Sequence, residues 1–152
     1  MPPDAPTSED PVLTGRCYCG AFSLSASAPL TVAYCHCADC RRVSGAPVSA
    51  FAAFDPQNIT ITPAPETSVT VAPGVTRWFC AKCGTHLQAH YDYLPDQLYV
   101  PIGLFDDATS LKPESHSHSG SKLPWLCLTD TLPQAEGSGR ARLSGAGASR
   151  KT

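Results

Sequence analysis

The sequence of 152 residues contains no apolar run of membrane-spanning length and no internal repeat. Its opening segment, MPPDAPTSEDPV, has neither a basic cluster nor an apolar stretch, so no secretory signal is read there. Net charge is also scarce. Eleven basic and 13 acidic residues leave −2, which gives no electrostatic reason to expect nucleic acid on the folded body. Long helices are disfavoured, because 15 prolines and 11 glycines are scattered along the chain without a period. These absences leave a soluble, intracellular chain, expected to be cytoplasmic, with no membrane contact.

What is present suffices for one domain. Hydrophobic residues make up 42% of the chain, enough to bury a core at this length. Residues 1–11 read as a flexible, Pro-rich lead-in and 12–135 as the folded part. Residues 136–152 read as a disordered, basic, Gly/Ser/Ala-rich tail in which Arg140, Arg142, Arg150 and Lys151 stand without an acid. The sequence leaves the oligomeric state open.

The folded part reads as all-β, with little helix. Short runs of β type alternate with turn residues at 21–27, 30–34, 48–54, 58–62, 69–71, 75–79 and 98–102. Pro101 suits a strand end or edge. In the run after Cys83-Gly84, Leu87, Ala89 and Tyr91 share one face, while His86, Gln88 and His90 share the other, expected to be solvated. Only Cys37 to Val43 has the makings of a helical turn. Trp125 is expected in the core, and Cys127, within PWLCL, as a small buried hydrophobe.

Eight cysteines dominate the chemistry. In a reducing compartment, clustered cysteines are more often metal ligands than disulfides. Cys17-Tyr18-Cys19-Gly20 puts two sulfurs on one side of a turn. Cys80-Ala81-Lys82-Cys83-Gly84 is a knuckle whose two thiolates converge on one metal. Together they supply four thiolates, a closed tetrahedral site for a structural Zn²⁺ that staples the start of the chain to its middle. The third group, Cys35-His36-Cys37-Ala38-Asp39-Cys40, offers three thiolates, and three protein ligands with an open position are typical of a reactive zinc. His36 and Asp39 are both candidates for a fourth ligand, although His36 points away from its neighbours in an extended segment. A rival pairing joins the three cysteines to one from the knuckle.

These motifs carry a resemblance. Gly15 to Gly20 (GRCYCG), Cys35 to Ala46 (CHCADCRRVSGA), Phe79 to Thr85 (FCAKCGT), and His116 or His118 followed by Ser121 to Trp125 (SKLPW) and Leu128 to Pro133 (LTDTLP) stand in order. In them the chain resembles the glutathione-dependent formaldehyde-activating enzyme family, which includes the domain of centromere protein V. The resemblance covers about residues 13–134. It implies an Mss4-like, β-rich fold with two zinc sites: a structural one on Cys17, Cys19, Cys80 and Cys83, and a reactive one on Cys35, Cys37 and Cys40. It also implies carbon–sulfur lyase chemistry joining glutathione to formaldehyde. The sequence departs from the family's usual pattern in SHSHSGSKLPW, which is more polar than usual and carries two histidines.

On this reading a substrate thiol completes the open three-cysteine site and meets a small aldehyde there. Arg41, Arg42, Ser44 and Lys122 are candidates for holding glutathione or a similar small thiol. Arg41 and Arg42 read equally well as surface charge balancing an anionic site, and Ser44 as part of a turn. The alternative function is a non-catalytic zinc-binding module that carries glutathione or docks on a macromolecular partner.

Overall fold

The computed structural model describes residues 12–150. The lead-in expected over residues 1–11 lies outside the described residues. Two sheets form the body. The smaller is antiparallel, in the order β1 (Leu13–Arg16), β2 (Ser23–Ala26) and β5 (Ile59–Thr62). The larger has seven strands. Its order is β10 (Ser115–Ser117), β3 (Thr31–Cys35), β4 (Ser49–Phe54), β9 (Leu98–Pro101), β8 (His86–Tyr91), β7 (Val75–Phe79) and β6 (Ser68–Val69). Only the β10–β3 pair is parallel. Two α-helices complete the fold, α1 (Ala38–Ser44) and α2 (Arg140–Arg150). Among the described residues no helix is long and apolar enough to cross a membrane.

The strands follow from alternation. Along β4, Ala52 and Phe54 enter the core with Leu24, Val32, Ile59 and Val100, while Phe51 and Ala53 pack on the opposite face against Cys40 and Tyr99. A central strand buried on both faces tolerates few polar groups, and VSAFAAF has one, Ser49, whose hydroxyl is satisfied by Cys40 O and Ser44 Oγ. β9 ends at Pro101, which supplies no N–H to extend the ladder. Leu87 of β8 packs on Cys17 and Cys80, and Ala89 packs on Cys40 and Phe51. One strand therefore runs between the two cysteine groups.

The structure corrects three expectations. Residues 136–145 are ordered: His116 N–H donates to Pro133 O, Ala135 N–H to His116 O and His118 N–H to Gly137 O, extending the chain beside β10. α2 then docks through Leu143, whose carbonyl accepts from Gln97 Nε2 at 2.9 Å. Backbone pairing of this kind needs no apolar side chains, so a Gly/Ser-rich composition conceals it. Second, Trp125 is 67% exposed and Cys127 is exposed, because the segment around them forms no regular element and runs over the surface. Third, His86 is not on a solvated face. Its ring stacks on Phe79 at 5.1 Å and meets Phe51 edge-on. Burial, then the Arg77 charge, lowers its pKa to about 4.

Gly15 joins the smaller sheet to the rest through a bridge to Phe105. A Cβ there would collide with the backbone oxygen of Leu104, a contact that only backbone movement can relieve. Gly15→Ala is expected to destabilise the protein by about 1–3 kcal/mol, read as a lower urea midpoint at unchanged m-value.

Candidate metal centres and active-site cavity

The two cysteine groups assemble as separate clusters. The sulfurs of Cys17, Cys19, Cys80 and Cys83 all lie within 4.8 Å of one another, as do those of Cys35, Cys37 and Cys40. All eight cysteines are free thiols. In the four-sulfur cluster, Cys17 and Cys19 are 3.6 Å apart, and Cys19 and Cys80 are 3.7 Å apart. A tetrahedron built on metal–sulfur bonds of about 2.3 Å has edges of about 3.8 Å, so the donors fit a thiophilic cation. The local backbone prepares them for it. Gly20 and Gly84 take positive φ and fold the two turns under the sulfurs. Burial works against the Cys17 thiolate, but the Phe22 N–H that donates to its Sγ at 3.4 Å and the contacts from Cys19 and Cys80 together outweigh it, and the pKa falls. The Thr85 hydroxyl, 3.1 Å from Cys83 Sγ, lowers that thiol to about 5.

The three-sulfur cluster sits where β3 passes into α1. Cys37 is the N-cap of that helix, its sulfur accepting from Cys40 N–H at 3.2 Å. Hydrogen bonds from Cys35 and then Cys40 hold the Cys37 thiol far down, at about 2. The same contacts push Cys35 up to about 11 and Cys40 higher still. Thiols this close resist ionising together unless a cation lies between them, because like charges repel. Neither His36 nor Asp39 supplies a donor atom to the cluster. His36 is fully buried and points the other way, its Nε2 2.8 Å from His116 Nδ1. His116 Nε2 in turn lies 3.0 Å from both Asp130 oxygens. Burial, then the His116 charge, lowers the His36 pKa.

A cavity of about 620 Å³ opens beside the three sulfurs. Its wall includes Cys35, Cys37 and Cys40 with Asp39 and Arg42 from α1. Val69, Val71, Val75 and Phe79 form an apolar side, and His118, Ser138 and Arg140 form another. His118 takes positive φ (54°), which turns it into the cavity while His116 stays buried. Arg140 lies over the Tyr93 ring, 4.1 Å from its centroid. Arg77 also lines the cavity and is 9% exposed; its Nη1 has no hydrogen-bond partner. Burial opposes the Arg77 charge, but Tyr91 and Cys40 outweigh it and its pKa rises.

Of the residues proposed from sequence to hold a thiol substrate, only Arg42 lines the cavity. Arg41 Nη1 donates to the carbonyls of His36 and Ser121, tying α1 to the chain after β10. Ser44 Oγ donates to Cys40 O at 2.8 Å and meets Ser49 Oγ at 3.0 Å, closing the turn after the helix. Lys122 is half-buried outside the cavity wall. Sequence reasoning missed Arg77, Tyr91, Tyr93, His118 as a wall residue, and Arg140. For Arg77 a signal existed: in VTRWF it shares a strand face with Val75 and Phe79, so a charge stands in an apolar row.

Residues 12–121 match the family described as glutathione-dependent formaldehyde-activating enzyme. No curated protein matches the chain. Among solved structures, a crystal structure of a Rhodobacter sphaeroides protein superposes with a TM-score of 0.52 at 18% identity, covering 80% of this chain and 99% of that one. This shows a shared β-rich fold.

Purified protein is expected to contain two metal equivalents per chain by elemental analysis. Cys37→Ser should lower this to about one with little change in melting temperature, because serine retains the N-cap. Cys83→Ser should also lose one equivalent but melt well below wild type, since a closed thiolate site contributes folding free energy directly.

Proposed function

Because the chain belongs to the glutathione-dependent formaldehyde-activating enzyme family, we propose that it is a carbon–sulfur lyase that makes and splits the adduct of a glutathione-type thiol with a small aldehyde. One observation carries this reading: the four-sulfur cluster is complete by itself, whereas the three-sulfur cluster lies one donor short at the wall of a cavity. Zinc is the proposed metal at both. A zinc ion on three thiolates would lower the pKa of a thiol entering its fourth position, making it a nucleophile at neutral pH.

The chain's residues divide the remaining work. Arg42, on α1, and Arg140, at the start of α2, both line the cavity and are proposed to take the two carboxylates of glutathione. His118 and Asp39, which both line the cavity, are proposed to accept the proton that the thiol sheds on binding. The aldehyde lies against the apolar side built by Val69, Val75 and Phe79, where water is partly excluded. The cytoplasm, where clustered thiols are kept reduced, is the proposed location.

Calorimetric titration of glutathione into zinc-loaded protein tests the reading. Saturable binding is expected in wild type, about 10-fold weaker binding in Arg42→Gln and in Arg140→Gln, and none in Cys40→Ser. Absence of binding in wild type would remove the glutathione reading altogether. Adduct formation with several aldehydes should then exceed the uncatalysed rate. Binding without any such excess would leave a glutathione-carrying module in place of an enzyme.

A further inference from the structure

One face of the larger sheet passes from core to open cavity along a single row of paired residues. Ala53 of β4 pairs with Tyr99 of β9, Tyr99 with Ala89 of β8, Ala89 with Arg77 of β7, and Arg77 with Val69 of β6. Residues paired in this way project on the same side of a sheet. At the β4 end the row is buried, with Ala53, Tyr99 and Ala89 packed against Cys40 of α1 and Leu143 of α2. Toward β6 the cover ends: Val69 is 47% exposed and Val71 89%. Val75, paired with Tyr91 in the next row, and Val43 of α1 extend the same apolar lining. Arg77 is the one charged residue of the row, but it is buried and its Nη1 is shut off from solvent, so it offers the cavity little polar surface.

Clustered exposed apolar side chains mark a surface that binds something. Here they share one cavity of about 620 Å³ with Cys35, Cys37 and Cys40. A concave space of that size suits a small molecule, whereas a protein partner buries about 800 Å² on each side. Neither glutathione, a peptide with two carboxylates, nor formaldehyde, with a single carbon, brings an apolar group to cover the valines. We propose that the aldehyde handled by this site carries an alkyl chain of several carbons, which lies along Val69, Val71 and Val75 while the thiol sulfur sits at the three cysteines. This rests on the reading of that cluster as the seat of the substrate thiol, and it names the aldehyde's substituent. The chemistry is unchanged: sulfur bonds to the carbonyl carbon, the π pair moves onto oxygen, and that oxygen takes up a proton equivalent to the one the thiol shed. No oxidant or reductant is consumed. Burial of the chain supplies binding energy that a one-carbon aldehyde lacks.

The test uses S-methyl-, S-butyl- and S-hexylglutathione, stable thioethers whose alkyl group stands where the adduct's chain would lie. Each is titrated calorimetrically into zinc-loaded wild type and the double variant Val69→Ser/Val71→Ser, beside glutathione itself. Affinity in wild type is expected to rise about two- to fourfold per added methylene, so that the hexyl compound binds at least about 30-fold more tightly than the methyl. The hexyl-to-methyl ratio should fall about fivefold or more in the double variant, with zinc content as in wild type. Both valines are exposed, so the substitutions spare the core. A flat chain-length series in wild type, with glutathione still bound, overturns the proposal. So does an unchanged ratio in the variant, or loss of its zinc. Sedimentation of wild type as a dimer and of the variant as a monomer would also overturn it, since a second copy would then cover the face. If wild type binds neither glutathione nor any of the thioethers, the glutathione reading fails first and this proposal with it, a result distinct from a flat series.

Discussion

Four sulfurs from two distant stretches of chain meet at one point, and much of the architecture follows from that meeting. Cys17 and Cys19 precede β2, whereas Cys80 and Cys83 lie between β7 and β8. Sulfur atoms 3.6–3.7 Å apart cannot all ionise without a cation between them, because like charges at that distance repel strongly in a partly buried setting. A bound metal converts this repulsion into cohesion and closes a loop of over sixty residues. It also anchors both strands, β7 and β8, that supply the cavity with Arg77, Phe79 and Tyr91.

The second cluster uses the same chemistry to a different end. Its sulfurs are contributed by a single turn of chain, so they staple little together. They stand at a surface the body has left concave. Cys37 caps α1, its sulfur accepting from Cys40 N–H. The site is thus organised before any metal or substrate arrives. β8 touches both clusters, through Leu87 at one and Ala89 at the other, so distortion at the closed site has a direct packing route to the open one.

Much of this was legible in the sequence, for identifiable reasons. Strands β2, β3, β4, β5, β7, β8 and β9 show as short β-type runs between turn residues, with clear alternation in β2 and β8, and cysteine spacing is a local signal. Both survive without knowledge of the fold. What was hidden depends on distant partners. His36 acquires its meaning only beside His116 and Asp130, some 80 and 94 positions away. Arg77 resembles any strand arginine until the sheet closes over it. The pairing of residues 133–137 with the β10 segment is made by backbone groups, which composition cannot report. Trp125 departs in the opposite direction: so large a ring is expected in the core, and it stands in solvent.

The cavity wall has one further consequence. Its sulfur floor comes from a turn fixed by helix capping, but two of its sides come from the exposed loop joining β6 to β7 and from the segment leading into α2. The latter lies beyond residues 12–121, where the family match ends. Substitutions at Val71 or Ser138 would therefore alter which molecules are admitted while leaving sulfur reactivity untouched.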